Sequence, residues 1–594
     1  MEMNGYLGRL LHVDLSDGLL RDEPLDADLA RARLGGSGLA AALIAQKDLA
    51  SIDPLGPGNP LVWMTGPLVG TAMPSAGRIS VCSISPLTGI WGEANTGGFF
   101  GPELRSAGYD GIIVTGRSKE LAWISIVDGK PALHDARSLA GLDTYETQAA
   151  VRELVGNDSA RVSCIGEAGE CGALYAAILN DHGRAAGRCG LGAVMGSKNL
   201  KAIAVSGTEG VPVADSEGLI STAKAIREEI EEDIAAQAIR MAGTAGYLDM
   251  ACMYGDLPIR GFKRGDWPGA EKLSGVRLTE EFLVKGRSCY GCTIACGRET
   301  RAPRFELDRV DGPEYETLGA LGSLLEIDDL EAVIHAGHLC NVYGLDTISA
   351  GVTIALACEL YEEGVLTDQE TGGRALRFGD AETLHGLIPA IARREGFGDA
   401  LADGSAQLAS RLGVPDRAVV VKGLELPMHD PRAFTGMAVS YALSPRGACH
   451  MQGDVYSVDT GQLARPELGI EPGDRLESSF EKGRMAARTM IWRTLYNALT
   501  LCQFANPEPA LLRCALEQAT GWSVTLDELM AIGRDLLMLK REINRRRGMT
   551  PADDCLPDAI RQPLSEGGTQ GSTPDLEALL AGAYEELGWS ELDP

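Results

Sequence analysis

Along the first 210 positions apolar residues come in short runs broken by Gly, Pro or Asp. LVWMTG (61–66), RISVCSIS (78–85), GIIVTG (111–116), AWISIV (122–127), RVSCIG (161–166) and KAIAVSG (201–207) read as strands. Few long helical patterns lie between them, which predicts a largely antiparallel sheet domain rather than a doubly wound one. The period changes after VPVADSEG. Residues 216–242 take helical spacing behind Asp215 as a candidate cap, and helices are expected at 328–343, 347–363, 381–394, 397–411, 481–500 and 525–546. Asp328 or Asp329 would cap the first of these six. The last ends in KREINRRRG, basic and closed by glycine, as the helix dipole favours. PLSEGGTQGSTPD (563–575) reads as a mobile surface loop. The expected class is α+β: a β-rich domain over 1–210, then two largely helical domains over 211–415 and 416–594.

Composition narrows the class. A chain of 594 residues exceeds one core, and 45% hydrophobic residues with mean hydropathy −0.03 are ordinary for a globular protein. No apolar run approaches the roughly 18 residues that span a bilayer. The opening MEMNGYLGRLLHVDLSDG lacks the features of an export signal, so a cytoplasmic location is the default expectation. A net charge of −29 repels phosphate backbones and argues against nucleic-acid binding. The 74 glycines fall in separate clumps between apolar runs, where backbone turns tightly or meets a ligand closely.

Fourteen cysteines in such a chain point to reduced thiols. Isolated ones such as Cys340 and Cys358 read as small buried hydrophobes. SCYGCTIACGRET (288–300) differs: Cys289, Cys292 and Cys296 form C-x2-C-x3-C. Plain burial, zinc and an iron–sulfur cube are all readings of it. No second close Cys or His pair supports zinc, while soft thiolates beside Gly291 and Gly297 favour a [4Fe–4S] cube. The fourth ligand would come from the eleven other cysteines. One internal echo, NVYGLD (341–346) against NALTLC (497–502), places similar elbows at the ends of two helical patterns and nominates Cys502.

Nine segments taken together, and in this order, resemble the aldehyde ferredoxin oxidoreductase family nearly end to end. They are GYLGRLLHVDL, AGRISVCSISPLTGIWGEANTGGFFGPELRSAGYDGIIVTG, RAAGRCGLGAVMGSKNLKAIAV, CYGCTIACGR, GPEYETLGALGS, NVYGLDTISAG, KGLELPMHDPR, SPRGACH and TLCQF. The resemblance implies a tungsten (or molybdenum) ion held by two pterins on the β domain, with magnesium as a candidate bridge between the pterin phosphates. It implies that Cys289, Cys292, Cys296 and Cys502 hold a [4Fe–4S] cluster. Asn341, Leu345 and Asp346 would contact one pterin, and Asn497 and Leu501 the other. Arg78, Asn95, Gly97, Arg184, Ala185, Gly187 and Arg446 would complete the contacts; arginine forks and glycine N–H groups suit phosphate oxygens. The family elbow is D-x-x-G-L-[DC]. Here Asn341 and Asn497 stand where it has Asp, Thr500 where it has Gly, and Gln452 where relatives carry Lys.

By the same resemblance Glu314 and His450 face the metal. His450 would hydrogen-bond the carbonyl oxygen of an aldehyde and Glu314 would take a proton from the attacking water. Electrons would leave through a pterin and the cluster to ferredoxin or another low-potential carrier. A homodimer is compatible with the family, but no glutamate aligns with His385 for an interfacial metal, and none is expected there. Two alternatives stay open: another two-electron substrate, such as an acyl-CoA, an aromatic ring or a hydroxy acid, or a non-catalytic iron–sulfur electron-transfer subunit.

Overall fold

The computed structural model describes residues 3–589. Two six-stranded sheets occupy the N-terminal third. The first runs in space Leu19–Pro24, Arg9–Asp14, Gly111–Thr115, Leu61–Met64, Ile79–Ile84, Trp91–Thr96. The second runs Arg184–Ala186, Ile178–Asn180, Arg161–Cys164, Leu200–Ser206, Ala122–Val127, Lys130–Asp135. Each sheet has one parallel ladder, Arg9–Asp14 with Gly111–Thr115 and Ala122–Val127 with Leu200–Ser206; the other ladders are antiparallel. All six strands legible as apolar runs are present. Their unbroken hydrophobicity has a cause: both faces of the first sheet are covered. Leu61, Trp63, Ile79 and Val81 enter the main core, while Val62, Met64, Cys82 and Ile84 enter a second core under the helix Gly36–Ala45.

Helices dominate from Asp215, whose carboxylate accepts from Gly218 N–H and caps Ser216–Glu232. The expected long helix over 216–242 breaks at Asp233, which ends one helix and caps the next, Ile234–Ala242. The helix Leu330–Tyr343 is capped by Asp329, not Asp328. The helices Thr347–Glu362, Ala381–Arg393, Phe480–Leu499 and Leu526–Arg546 follow the expected periods; 397–411 divides at Gly404 into two short helices. A three-stranded antiparallel sheet, Leu283–Arg287, Gly297–Ala302 and Leu307–Asp311, interrupts the helical part.

Two expectations need refinement. The segment 563–575 lies largely at the surface and is anchored at two points: Thr569 is fully buried, and Gly568 accepts a 2.7 Å hydrogen bond from Arg475. The glycines there serve close backbone packing, since a Cβ on Gly567 would lie 2.0 Å from Gly265 O. The basic end of Leu526–Arg546 does more than match a dipole. Arg546 donates to the carbonyls of Ala45 and Lys47, and Arg547 to those of Leu49, Ile52 and Gly89, which ties this helix to the N-terminal sheet.

Candidate active site and metal centre

The strands Leu283–Arg287 and Gly297–Ala302 present residues 288–296 as the loop between them. Gly291 turns it at φ 61°. Gly291 O accepts from Ser75 N–H at 3.2 Å, and Ser75 O accepts from Cys502 N–H at 3.0 Å, so a backbone bridge delivers the distant cysteine to the loop. The thiol of Cys502 lies in the field of Cys292 and Cys289, and that of Cys296 in the field of Cys502 and Cys289. All four are free and partly buried. Cys292 Sγ accepts from Ile294 N–H at 3.3 Å. Burial pushes the Cys296 thiol far up, with Glu314 and the neighbouring thiols adding to it and Arg184 opposing; burial likewise raises Cys502 against Arg78. Neighbouring thiolates repel one another, and bound cations offset that repulsion. A soft sulfur set of this kind fits an iron–sulfur cube.

Beside the thiols lie Gly97, Arg78 and Arg184 of the β domain. A Cβ on Gly97 would sit 2.8 Å from Cys289 Sγ and 3.6 Å from Arg78 Nη1, so only glycine lets this strand end approach the loop. Arg78 Nη2 donates to Asn95 O at 2.8 Å. Arg184 lies against Gly297, where a Cβ would meet its Nη2 at 2.3 Å, and the carboxylate Glu314 and the thiols Cys289 and Cys296 hold its charge. Ala185 is exposed on the same short strand, and Gly187 follows beside Asp346.

The two elbows share a geometry. Leu330–Tyr343 ends at Gly344, φ 75° and ψ 54°; Leu345 is buried, and Asp346 then caps Thr347–Glu362 through Ile348 and Ser349. Phe480–Leu499 ends at Thr500, φ 55° and ψ 43°, followed by buried Leu501 and by Cys502. A β-branched residue in this left-handed region is strained; here the Thr500 hydroxyl donates to Leu499 O at 2.7 Å, and Gly36 and Gly66 give its side chain room. Each elbow is pinned to the β domain, the first by a bridge from Leu345 to Ala176 and the second by Cys502 to Ser75. Asn341 donates to Asp311 O at 3.2 Å, and Asn95 to Asn497 Oδ1 at 2.9 Å.

His450 lies against Glu316, while Glu314 lies against Thr244. His450 Nδ1 lies 3.4 Å and His429 Nε2 3.6 Å from Glu316 Oε1. Asp256 grips the other side of His429, with Oδ2 at 2.7 Å from Nδ1. Burial, then His429, hold His450 far below its ordinary value, so its imidazole is neutral. Burial raises Glu316 although His429 opposes it. For His429 burial is outweighed by Asp256, and its value rises. Neither Glu316 Oε1 nor His450 Nδ1 has a hydrogen-bond partner within strict geometry, so a small shift of either completes the pair. Glu314, at the start of Tyr315–Leu321, accepts from Thr244 Oγ1 at 2.5 Å.

Several residues escaped the sequence reading. Glu316 and His429 sit inside the quoted GPEYET and PMHDPR segments, where a lone acid or histidine carries no signal of its own. Glu93 is buried beside the second elbow and takes Lys540, Gln452 and Asn497 Nδ2 on its carboxylate, while Arg446 donates to its backbone carbonyl. Gln452 thus joins a buried carboxylate. Arg188, next after Gly187, reaches Asp346 at 3.3 Å.

Residues 10–207 match the family described as aldehyde ferredoxin oxidoreductase, N-terminal domain, and residues 221–593 match its domains 2 and 3. The tungsten-containing aldehyde ferredoxin oxidoreductase of Pyrococcus furiosus is 40% identical over 99% of this chain and 97% of its own; that of Thermococcus kodakarensis is 39% identical over the same shares. The WOR-like subunit of an aliphatic sulfonate oxidoreductase from Pyrococcus furiosus is 29% identical over 99% of this chain and 95% of its own. Among solved structures, the active-site complex BamBC of benzoyl coenzyme A reductase with 1,5-dienoyl-CoA superposes with a TM-score of 0.86 at 24% identity, covering 99% of this chain and 95% of that one, and shares the fold. The chain belongs to the aldehyde ferredoxin oxidoreductase family.

Proposed function

We propose that this protein oxidises aldehydes to carboxylic acids and passes the electrons through a [4Fe–4S] cluster to ferredoxin or a similar carrier. One observation supports this most: the backbone bridge through Ser75 that brings Cys502 to the loop of Cys289, Cys292 and Cys296, at the foot of the second elbow. Those four thiols would hold the cluster. The elbows at Asn341–Asp346 and Asn497–Leu501, with Arg78, Asn95, Gly97, Arg184, Ala185, Gly187 and Arg446, would hold two pterins. Tungsten, or molybdenum, on such pterins supplies the two-electron redox change. Magnesium between pterin phosphates belongs to the same proposal, as does the domain division at 210 and 415.

The chain's own residues do the rest. A neutral His450 that accepts at Nδ1 from protonated Glu316 keeps its Nε2–H free to donate to the aldehyde oxygen as negative charge grows there. Glu314, held by Thr244, takes the proton from the attacking water. The aldehyde C–H hydrogen leaves as a proton with two electrons, one water proton leaves through Glu314, and the carboxylic acid keeps the other. Glu314→Gln and His450→Asn are expected to lower aldehyde-dependent viologen reduction by about 100-fold or more, with iron and tungsten content unchanged. Loss of the metals together with the activity would reassign both residues to a structural role.

A further inference from the structure

A chain of side-chain amides at the second elbow runs in one direction. Ser80 Oγ donates to Asn95 Oδ1 at 2.5 Å, Asn95 Nδ2 to Asn497 Oδ1 at 2.9 Å, and Asn497 Nδ2 to Glu93 Oε1 at 3.4 Å. Gln452 Nε2 donates to the same Glu93 oxygen at 2.5 Å. Trp91 Nε1 and Lys540 Nζ take Oε2. Burial raises the Glu93 pKa, but Lys540 outweighs burial and holds it below the ordinary carboxylate value. An ionised carboxylate only accepts, so it fixes which end of each amide faces it.

One atom is left over. With Nε2 committed to Glu93, Gln452 turns Oε1 away from the carboxylate. That oxygen is buried and has no hydrogen-bond partner, on a residue that is 1% exposed. A buried polar atom left unpaired costs about 1–3 kcal/mol, so the position calls for a donor that the protein does not supply. Its neighbours are residues assigned above to the pterins. Asn497 shares the Glu93 oxygen, and Arg446 donates to the Glu93 backbone carbonyl while its own Nε is buried and unpaired. The lysine that relatives carry at this place is a charged donor without an acceptor; glutamine in this orientation presents an acceptor and no charge. With Asn497 in place of Asp, both family charges at this elbow are absent, and the buried pair Glu93–Lys540 stands behind the amides.

We propose that Gln452 is a pterin-recognition residue: its amide oxygen, aimed by Glu93, accepts an N–H from the pyrimidine ring of the second pterin, at a place where a lysine can only donate. A pterin carries a ring N–H and an amino group there, which is the chemistry the free oxygen requires. The inference rests on the two-pterin reading above and concerns binding; no bond forms or breaks. Glu93 is a positioning residue that acts through Gln452 and Asn497. A neutral acceptor also leaves the metal centre without a nearby cation to favour its more negative, reduced form, so a lysine placed at 452 raises the reduction potential.

The test uses anaerobically purified holoenzyme and reads metal content and potential rather than turnover. Gln452→Met keeps the length and removes the acceptor; it is expected to release tungsten or molybdenum on the order of tenfold faster in mild urea, while iron content holds. Gln452→Lys is expected to raise the potential of the metal's VI/V couple, followed by electron paramagnetic resonance, by about 59 mV or more, a tenfold change in a one-electron equilibrium. Metal release and potential at wild-type values in both variants overturn the proposal. So does loss of iron in step with the heavier metal in Gln452→Met, which marks a packing role. The loaded wild type gives a readout that needs no variant to fold: a crystal structure is expected to place a pterin nitrogen within about 3.2 Å of Gln452 Oε1, and a water or an apolar atom there instead overturns the proposal. Wild type that holds neither tungsten nor molybdenum refutes the two-pterin reading itself. Wild type that holds the metal, beside indifferent variants, refutes only the role of Gln452.

Discussion

Glu316 links two histidines through one oxygen, and its position decides what each can do. Burial raises its pKa, which favours the protonated acid, and its Oε1 lies 3.4 Å from His450 Nδ1, within a small shift of donating to it. Activity that depends on this donor is lost as pH rises through the raised value. Glu316→Gln keeps a donor and is expected to flatten that limb of the kcat–pH profile; Glu316→Leu removes it and should cost at least about tenfold in kcat. A Leu variant with wild-type kcat and pH profile would contradict the role. Lys198 gives a second, purely energetic test. Burial drives its pKa down to about 7, and its ammonium donates to the carbonyls of Pro57 and Gly116. The unfolded lysine titrates near 10.4. The penalty is therefore full below pH 7 and fades as pH rises towards 10.4. Lys198→Met is expected to raise Tm more at pH 6 than at pH 9. An equal shift at both pH values would show the lysine is not held in this way. At this scale sequence legibility was uneven. Glu314 and His450 were nominated because they stand in long segments that resemble the family. Glu316, two positions later, was not, because only the fold sets it against two histidines from another part of the chain.

The elbows are where elements meet chemistry. Each is a helix end turned through a left-handed residue, and each is clasped to the β domain by backbone. The echo between NVYGLD and NALTLC was visible beforehand because a helix end with a fixed turn leaves a short local signature. The partners of those turns were not. Gly36 and Gly66 lie far away in sequence, yet a Cβ on Gly36 would stand 2.2 Å from Asn497 O. Gly36→Ala should therefore wedge the second elbow out of place, costing about 2 kcal/mol or more and lowering tungsten and iron retention. Gly58→Ala, with open space around the added carbon, serves as the neutral control. Equal Tm and metal content in the two variants would mean that the elbow tolerates displacement. Helix breaks were the least legible feature. Asp233 and Gly404 interrupt patterns whose hydrophobic period continues across them, since period reports which face is buried and not whether the backbone bends.

Across the whole molecule, the helix Leu526–Arg546 reaches back to the first sheet through the buried Lys540–Glu93 pair, and to the turns around it through Arg546 and Arg547. This closes the second elbow from behind. Breaking a buried pair by removing one partner costs about 3–5 kcal/mol, so Glu93→Ala is expected to lower Tm by several degrees and loosen metal retention. The α+β class was readable from the change of period near residue 210, because strand and helix periodicities are local properties. The approach of Cys502 to residues 289–296 was nominated by the echo of the two elbows and implied by the family resemblance; the backbone bridge through Ser75 was not readable, since nothing local encodes it. That convergence is the central claim, and metal analysis of anaerobically purified wild type beside Cys502→Ser tests it most directly. Wild type should hold about four irons and one tungsten or molybdenum per chain, and Cys502→Ser should lose the intact four-iron cluster. Zinc in place of iron, or a full four-iron cluster in Cys502→Ser, would contradict it.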